Sequence, residues 1–498
     1  MVVLNRINLL YVKVLFNKTE EWKVVEKSLS FLMPGHEFSS KFIDGYWDGY
    51  LRFYNKREKV VPIGLLGYVE KSLSRSGIKV LKRGFGDKGV DWIKFSAKFV
   101  GKERDYQRDA ISAFLRHRCG IIKIPTRGGK TFVAAETIRL IQKEFGLITV
   151  FVTDSSDLFY QVTKDIADIL ECSQEEIGQI KGESLFIRPV NVAMTQTIQS
   201  ILKRPEKIDK LFYQKRERRK TLLKLIKDTG VLIVDEIHEY GRSRARQAML
   251  KKFHPEYFMS LTATTEKNDL ITNLNILELT GGIVYDISEK MLEDRNVLAK
   301  NRVLLLFNDS EDIGNDYRDS FGKFIINNED RNNSILEFIG ICKKLSIKLL
   351  ILSMSKKHGR LLSEKSGDVF IHGETPMEQR LQEKQRFLEG VGGVLFASWI
   401  WKKGITLPEV QVIMNISGGL EQSALLQIRG RGLGVSEGKD LALFVDFIDD
   451  FTEYFNDHSL KRIETYEKFI GEDKIDVMDI KSTDFITELE QYLKGFFL

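Results

Sequence analysis

Only three cysteines, Cys119, Cys172 and Cys342, occur among 498 residues. They lie far apart and show neither zinc nor disulfide spacing. That excludes a disulfide-stapled scaffold and fits a reducing, cytoplasmic compartment. No apolar run reaches the ~18 residues of a membrane span, so none is expected. Met1–Val14 is broken by Asn5, Arg6 and Lys13 and lacks a small-residue cleavage site, so it reads as a first strand, not a signal peptide. Charge of one sign is also scarce: 76 Lys+Arg against 70 Asp+Glu leaves +6, which permits a polyanionic partner without demanding one. What is present is ordinary globular composition, 43% apolar, which argues against long disordered stretches. The length predicts roughly three or four domains.

From Arg118 onward short apolar strands alternate with amphipathic helices. Strands are expected at 120–124, 147–153, 191–194, 231–235 and 257–262, with helices such as 131–145 and 157–170 between them. A second series follows at 302–307, 348–354, 369–372, 393–397, 411–416 and 441–447. This alternation predicts two parallel sheets, each covered on both faces. The first hundred residues differ, being rich in β-type and aromatic residues with turn signals at Pro34-Gly35, Asp44-Gly45 and Asp48-Gly49. The expected fold is therefore α/β, with two tandem doubly wound parallel-sheet domains and a small N-terminal α+β domain. The expected boundaries are 1–98 for the N-terminal domain, 99–288 and 302–470 for the sheets, 289–301 for a linker and 471–498 for a helical tail.

Two segments carry chemistry. Ile124-Pro-Thr-Arg-Gly-Gly-Lys-Thr131 reads as a strand ending in a turn that opens a helix. Backbone amides of Thr126, Arg127, Gly128 and Gly129 would cradle a β-phosphate there. Lys130 would reach the β/γ-phosphates, and the Thr131 hydroxyl would ligate Mg²⁺. Val231-Leu-Ile-Val-Asp-Glu-Ile-His238 places two carboxylates at a strand tip. Asp235 would hold Mg²⁺ and Glu236 would polarise the attacking water. Together they predict binding and hydrolysis of a nucleoside triphosphate. Between these strands, residues 203–227 are crowded with lysine and arginine; they read either as a solvated helix face or as a nucleic-acid backbone contact.

These segments, with Ser260-Leu-Thr-Ala-Thr264, resemble motifs I, II and III of the superfamily 2 helicases of the DExH group. Arg104–Ala110 resembles the element whose glutamine, here Gln107, reads adenine. Val150–Asp154 through Gln161 resembles motif Ia and Val192–Thr197 motif Ib. Ile371–Glu374 with Arg380 and Phe387 resembles the segment after motif IV, Val394–Leu407 motif V and Gln427–Arg431 motif VI. More narrowly, Phe42-Ile-Asp-Gly-Tyr-Trp-Asp-Gly49 and Phe447-Ile-Asp-Asp450 with Arg462 and Tyr466 resemble the phage UvsW-type recombination helicases.

The resemblance implies two RecA-like domains using ATP and Mg²⁺. Gln427 and Gly404 would also touch the nucleotide, and Arg431 would act as arginine finger, with Arg429 as the alternative because Gly434 replaces the family's second arginine. His238, Thr262, Thr264 and Thr406 would couple the nucleotide to the rest of the motor. Thr406 stands where the family has aspartate, and Ser398 where threonine is common. Thr153, Thr195, Gln196 and Ser398 would hold nucleic-acid backbone. In the N-terminal domain Trp47, with Tyr46, Tyr50 and Phe53, would either stack on bases at a junction or form that domain's core. The implied partner is branched or forked DNA, held without regard to sequence, and the implied activities are branch migration, fork regression and unwinding of D-loops or R-loops. A phage-encoded chain would act in the host cytoplasm. An RNA helicase and an ATP-clamped annealing protein are the alternatives.

Overall fold

Val231–Val234, four consecutive apolar residues all withdrawn from water, is the kind of strand that a sheet covered on both faces requires. The computed structural model describes residues 1–85, 99, 101, 103–154, 156–203, 212–263, 269–309, 317–390, 393–398, 410–419 and 441–497. The chain divides into two compact units, Met1–Pro125 with Gly129–Ser288 and Glu289–Leu498 with the short segment Thr126–Gly128.

The first unit begins with strands β1 (Val2–Arg6), β2 (Tyr11–Leu15), β3 (Ser30–Leu32), β4 (Tyr50–Arg52), β5 (Val60–Pro62) and β6 (Val80–Arg83). Four of them form a mixed sheet in the order β5-β2-β1-β6, and β3 pairs with β4. Alternation in β2, with Val12 and Val14 inward and Lys13 outward, turns one face onto the helices Thr19–Ser28 and Leu66–Arg75. Trp22, Val25, Val69 and Leu73 complete this core, which also takes in Leu274 from the helix Leu270–Thr280. The N-terminal α+β fold therefore shares its core with the domain that follows. The junction is close: a Cβ on Gly64 would lie 2.2 Å from the Leu277 carbonyl oxygen, so only glycine fits there.

The larger sheet of this unit comprises β7 (Cys119–Lys123), β8 (Thr149–Thr153), β9 (Gly178–Lys181), β10 (Ser184–Phe186), β11 (Val190–Met194), β12 (Val231–Val234), β13 (Tyr257–Thr262) and β14 (Ile283–Asp286). Their order is β10-β9-β11-β8-β12-β13-β7-β14. All pairings are parallel except the β9–β10 hairpin. Because β13 lies between β7 and β12, the carboxyl ends of these three strands are side by side, where ligands bind in open parallel sheets.

The second unit holds β15 (Lys300–Asp309), β16 (Lys348–Ser353), β17 (Val369–Ile371), β18 (Gly393–Ser398), β19 (Val412–Asn415), β20 (Leu441–Asp450) and β21 (Ile475–Asp479), in the order β17-β18-β16-β19-β20-β15-β21 and parallel throughout. One face packs on Ile335, Phe338, Leu489 and Leu493, and the other on Phe387 and Tyr466.

Two expected boundaries need correction. The 289–301 stretch is no plain linker, since it holds the helix Glu289–Asp294 and the start of β15. The 471–498 stretch is not only helical: β21 adds an edge strand to the sheet, fixed where Arg302 donates to both carboxylate oxygens of Asp476 at 2.8 Å. The apolar period of Phe485–Phe497 masked that strand, whose own residues are mostly half-exposed.

Two arginines lie inside the second unit. Arg331 donates to Asp449 and to the Ile416 carbonyl. Arg462 donates to Asp446, Gly419 O and Phe447 O, and Tyr466 also donates to Asp446. Both pairs are essentially inaccessible to water. Removing one partner strands a buried charge. Arg462→Ala should cost about 3–5 kcal/mol, read as a lowered urea midpoint of the full chain; an unchanged midpoint would show that Asp446 is solvated or protonated at no cost.

Candidate active site

The loop after β7 turns through two left-handed residues, Arg127 at φ 71° and Gly129 at φ 84°. Gly129 caps the helix Lys130–Phe145, so successive backbone amides and the positive helix end face one point, an arrangement that holds phosphate. Lys130 Nζ lies 3.4 Å from the Ile124 carbonyl, folded back over the loop. Gln107 covers the loop from the helix Asp105–His117. Its Oε1 accepts from the Arg104 amide at 3.0 Å, and a Cβ on Gly129 would lie 2.3 Å from its Nε2. Glycine is thus favoured by φ, and a side chain there would also have to displace the end of Gln107.

At the end of β12, two strands away, Asp235 and Glu236 follow the buried run. Glu236 sits at φ 50°, a left-handed conformation that a non-glycine residue holds only where its surroundings enforce it. Burial raises the Asp235 pKa, the Glu236 charge adds to this, and the Lys130 ammonium pulls it back. Glu236 Oε2 is buried without a hydrogen bond. A half-buried acid pair, with one buried carboxylate oxygen that accepts no hydrogen bond and an ammonium near, suits a divalent cation. Among the described residues no cluster of three or more His, Cys, Asp or Glu side chains is fit to hold a metal ion. One or two carboxylates with phosphate and a hydroxyl, here that of half-buried Thr131, are donors that Mg²⁺ accepts. The residues fit Mg²⁺ with a nucleoside triphosphate.

His238 opens the short helix His238–Gly241 and its Nδ1 lies 3.1 Å from Thr262 Oγ1 at the end of β13. The same nitrogen is 3.3 Å from Glu236 Oε2. The acid pair and the third motif are thus tied through one imidazole.

Two expected backbone grips are corrected here. Thr195 is 0% exposed, with its hydroxyl 3.3 Å from the Thr153 carbonyl and 2.6 Å from the Tyr240 hydroxyl. Thr153 is 1% exposed. Neither hydroxyl meets solvent, because both complete the end of the sheet. Of the neighbouring candidates Gln196 is exposed and Ser398 is half-buried at the end of β18. Trp47 is half-buried and donates from Nε1 to the Tyr50 carbonyl at 2.9 Å. Phe53 is core at 5% exposure, whereas Tyr46 is 85% exposed. Thr264, Gly404, Thr406, Gln427, Arg429 and Arg431 lie outside the described residues.

Sequence reasoning missed Tyr240 and Arg246. Tyr240 links the acid-bearing strand end to Thr195. Arg246 Nη1 lies 2.8 Å from Asp154 at the tip of β8 and also pairs with Glu239. Two residues beyond His238, a tyrosine in a four-residue helix carries no periodic signal. Only its proximity to the motif marks it.

Residues 101–267 match the family described as "Type III restriction enzyme, res subunit", and residues 323–433 match "Helicase conserved C-terminal domain". The chain is 23% identical over 494 residues to the "ATP-dependent DNA helicase uvsW" of Enterobacteria phage T4, covering 88% of this chain and 92% of that one. It is 24% identical over 370 residues to the "DNA 3'-5' translocase XPB2" of Sulfurisphaera tokodaii, covering 66% and 77%. In fold it resembles S. cerevisiae Dbp5 bound to RNA and ADP BeF3, with a TM-score of 0.55 at 16% identity, over 82% of this chain and 98% of that one.

Gly129→Ala should weaken ATP binding at least about ten-fold, since a left-handed non-glycine residue costs ~1–2 kcal/mol before the clash with Gln107 is added. Titration with a fluorescent ATP analogue measures it, and wild-type affinity would mean that the nucleotide is held elsewhere.

Proposed function

We propose that this chain, which belongs to the superfamily 2 helicases and is an ATP-dependent DNA helicase, acts on branched DNA, regressing forks, migrating branches and displacing the invading strand of D-loops or R-loops. The observation that carries this reading is the tie between its chemical site and its nucleic-acid segments. Lys130 follows the end of β7 and Asp235 and Glu236 that of β12, with only β13 between them, and Tyr240, in the short helix after β12, bonds to Thr195. Similarity to the T4 DNA helicase extends over most of the chain and supports DNA as the substrate; the step to branched DNA rests on the resemblance of Phe42–Gly49 and Phe447–Asp450 to the recombination helicases.

In this mechanism the amides of Thr126–Gly129 and Lys130 hold the triphosphate of ATP, Gln107 meets its base, and Thr131 and Asp235 hold Mg²⁺. Bound Mg²⁺ supplies charge neutralisation at the phosphates. Glu236 orients the attacking water and accepts its proton. Arg431 of the second unit supplies a guanidinium to the transition state, a contribution of roughly 10³–10⁵ in rate. His238 reports the state of Glu236 to Thr262. The Tyr240–Thr195 bond transmits it to the helix Thr195–Leu202, whose exposed Gln196 lies beside the DNA. Thr195 is then a relay, not a grip. Ser398 and main-chain amides hold phosphates, so binding is indifferent to sequence. Thr264, Gly404, Thr406 and Gln427 complete the nucleotide and coupling set. Exposed Tyr46, with Trp47 behind it, stacks at the junction. The enzyme works in the cytoplasm, that of the host if phage-encoded.

ATPase rate and strand separation measured side by side on single strands, duplexes, forks and four-way junctions, with RNA versions of each, test the proposal. Forks and junctions of DNA should give the highest turnover and the most product. Equal stimulation by RNA would favour an RNA helicase, and turnover without strand separation would favour a clamp.

Tyr240→Phe removes one hydroxyl and keeps the ring. It should leave DNA-free turnover near wild type and lower the DNA-stimulated excess several-fold, with DNA affinity little changed. A wild-type ratio of stimulated to basal rate would remove Tyr240 from the coupling.

A further inference from the structure

Within the basic stretch between the motif Ib helix and β12, residues Phe212–Asp228 form one helix. Its placement separates its cations into two groups. Arg218 donates to Gly182 O at 3.0 Å and to Glu183 at 3.1 Å, while Arg219 Nε donates to Leu202 O at 3.1 Å. These two, with buried Leu222, Leu225 and Ile226, fasten the helix to the sheet and to the end of the helix Thr195–Leu202. The remaining five, Lys215, Arg216, Lys220, Lys224 and Lys227, are exposed, and all but Lys215 share one side of the helix. Steps of four, four and three residues hold these four within an arc of roughly 80°, on the side opposite the buried residues. Among the described residues Lys220 meets only the exposed Glu217, at 3.9 Å.

A row of four cations along one rigid edge, about 17 Å from first to last at ~1.5 Å per residue, is more than solubility asks of a chain with nearly balanced charge. It has the form of a backbone contact. The contact suits a duplex better than a single strand. Grooves for single strands combine charge with aromatic rings on which bases stack; here exposed Tyr213 stands one turn before Arg216 at the start of the helix, and no ring is interleaved among the four cations from Arg216 to Lys227. A straight ridge instead matches the phosphates of a stiff duplex, which recur about every 3.4 Å of axis along each strand.

We infer that the ridge Arg216–Lys220–Lys224–Lys227 grips the phosphate backbone of a double-stranded DNA arm while the motor acts at the branch. This rests on the reading of the chain as a DNA motor and deepens it, giving the first unit a duplex contact apart from its motif Ia and Ib segments. Anchored beside Leu202, the helix places this grip next to the element that carries Gln196. A motor that holds a duplex arm while it advances can drive two arms together; one that holds a single strand alone can only peel.

The test uses the full chain with all four residues changed to alanine. Affinity for a blunt duplex and for a single strand of equal length is measured across a salt series without ATP. The slope of log affinity against log salt for the duplex should become shallower by about 3–4, at ~0.9 for each phosphate that the protein no longer neutralises, while the single-strand slope changes by less than one. DNA-free ATPase, whose residues the ridge does not touch, should stay at the wild-type level and shows that the variant is folded. Lys220→Glu alone should shift the duplex affinity in the same direction. Unchanged duplex slopes overturn the grip, and equal losses on both substrates overturn its assignment to duplex. Because the slopes are read without turnover, a wild-type protein lacking DNA-stimulated ATPase would sink the motor reading separately.

Discussion

Burying a parallel sheet on both faces is the constraint from which the site follows. With both faces closed, the polar ends of the strands are the only places left for chemistry in the first unit. The order β12-β13-β7 brings three such ends together. The phosphate loop leaves β7, the acid pair leaves β12, and Thr262 ends β13 between them. No side chain has to reach far. The 3.1 Å contact of His238 with Thr262 spans one inter-strand step. A one-residue slip of β12 against β13 would turn Asp235 to the other face of the sheet.

How much of this was legible depended on burial. Strands buried on both faces announced themselves, and the eleven read from apolar runs appear within a few residues of where the sequence placed them. What went unread lies at edges. The hairpin of β9 and β10, the bulged edge strand β14 and the last strand β21 carry exposed or half-exposed residues, so each lacks a continuous apolar signal. Motif spacing singled out Lys130, Asp235, Glu236, His238 and Thr262, and the fold gathers them at the ends of β7, β12 and β13. Motif position was a poor guide to exposure. Thr153 and Thr195 occupy positions where a hydroxyl would face DNA, yet the folded sheet end encloses both. Tyr240, which uses one of them, offered no pattern at all.

The second unit settles its polar groups differently. Arg331 and Arg462 hold the carbonyls of Ile416 and Gly419, where the chain leaves β19. A buried ion pair is weak evidence for stability, because desolvation offsets most of the attraction. Its geometric effect is firmer. Each guanidinium offers five donors in a fixed fork, and here the fork is filled by a carboxylate on one side and main-chain oxygens on the other. Exchanging either arginine for an apolar residue would free those carbonyls even if packing were kept. The pairs therefore fix the exit path of β19.

The first unit contrasts a dry interior with a charged exterior. In the proposed mechanism coupling runs through the 3.3 Å contact of Glu236 with His238 and the buried hydrogen bonds of His238 with Thr262 and of Tyr240 with Thr195, which salt screens little. Gripping, by contrast, belongs to exposed cations whose attraction is screened within about 8–10 Å at physiological ionic strength. The separation has a mechanical consequence. A motor must release its track once per cycle, and a contact made of screened, individually weak charges can slide or reform without breaking anything that the chemical site depends on. If the grip were made instead by the buried hydroxyls, each step would demand that Thr195 leave both of its partners, at a cost of about 1–3 kcal/mol for every buried group left unpaired. Keeping Thr195 enclosed lets the signal pass while the sheet end stays intact.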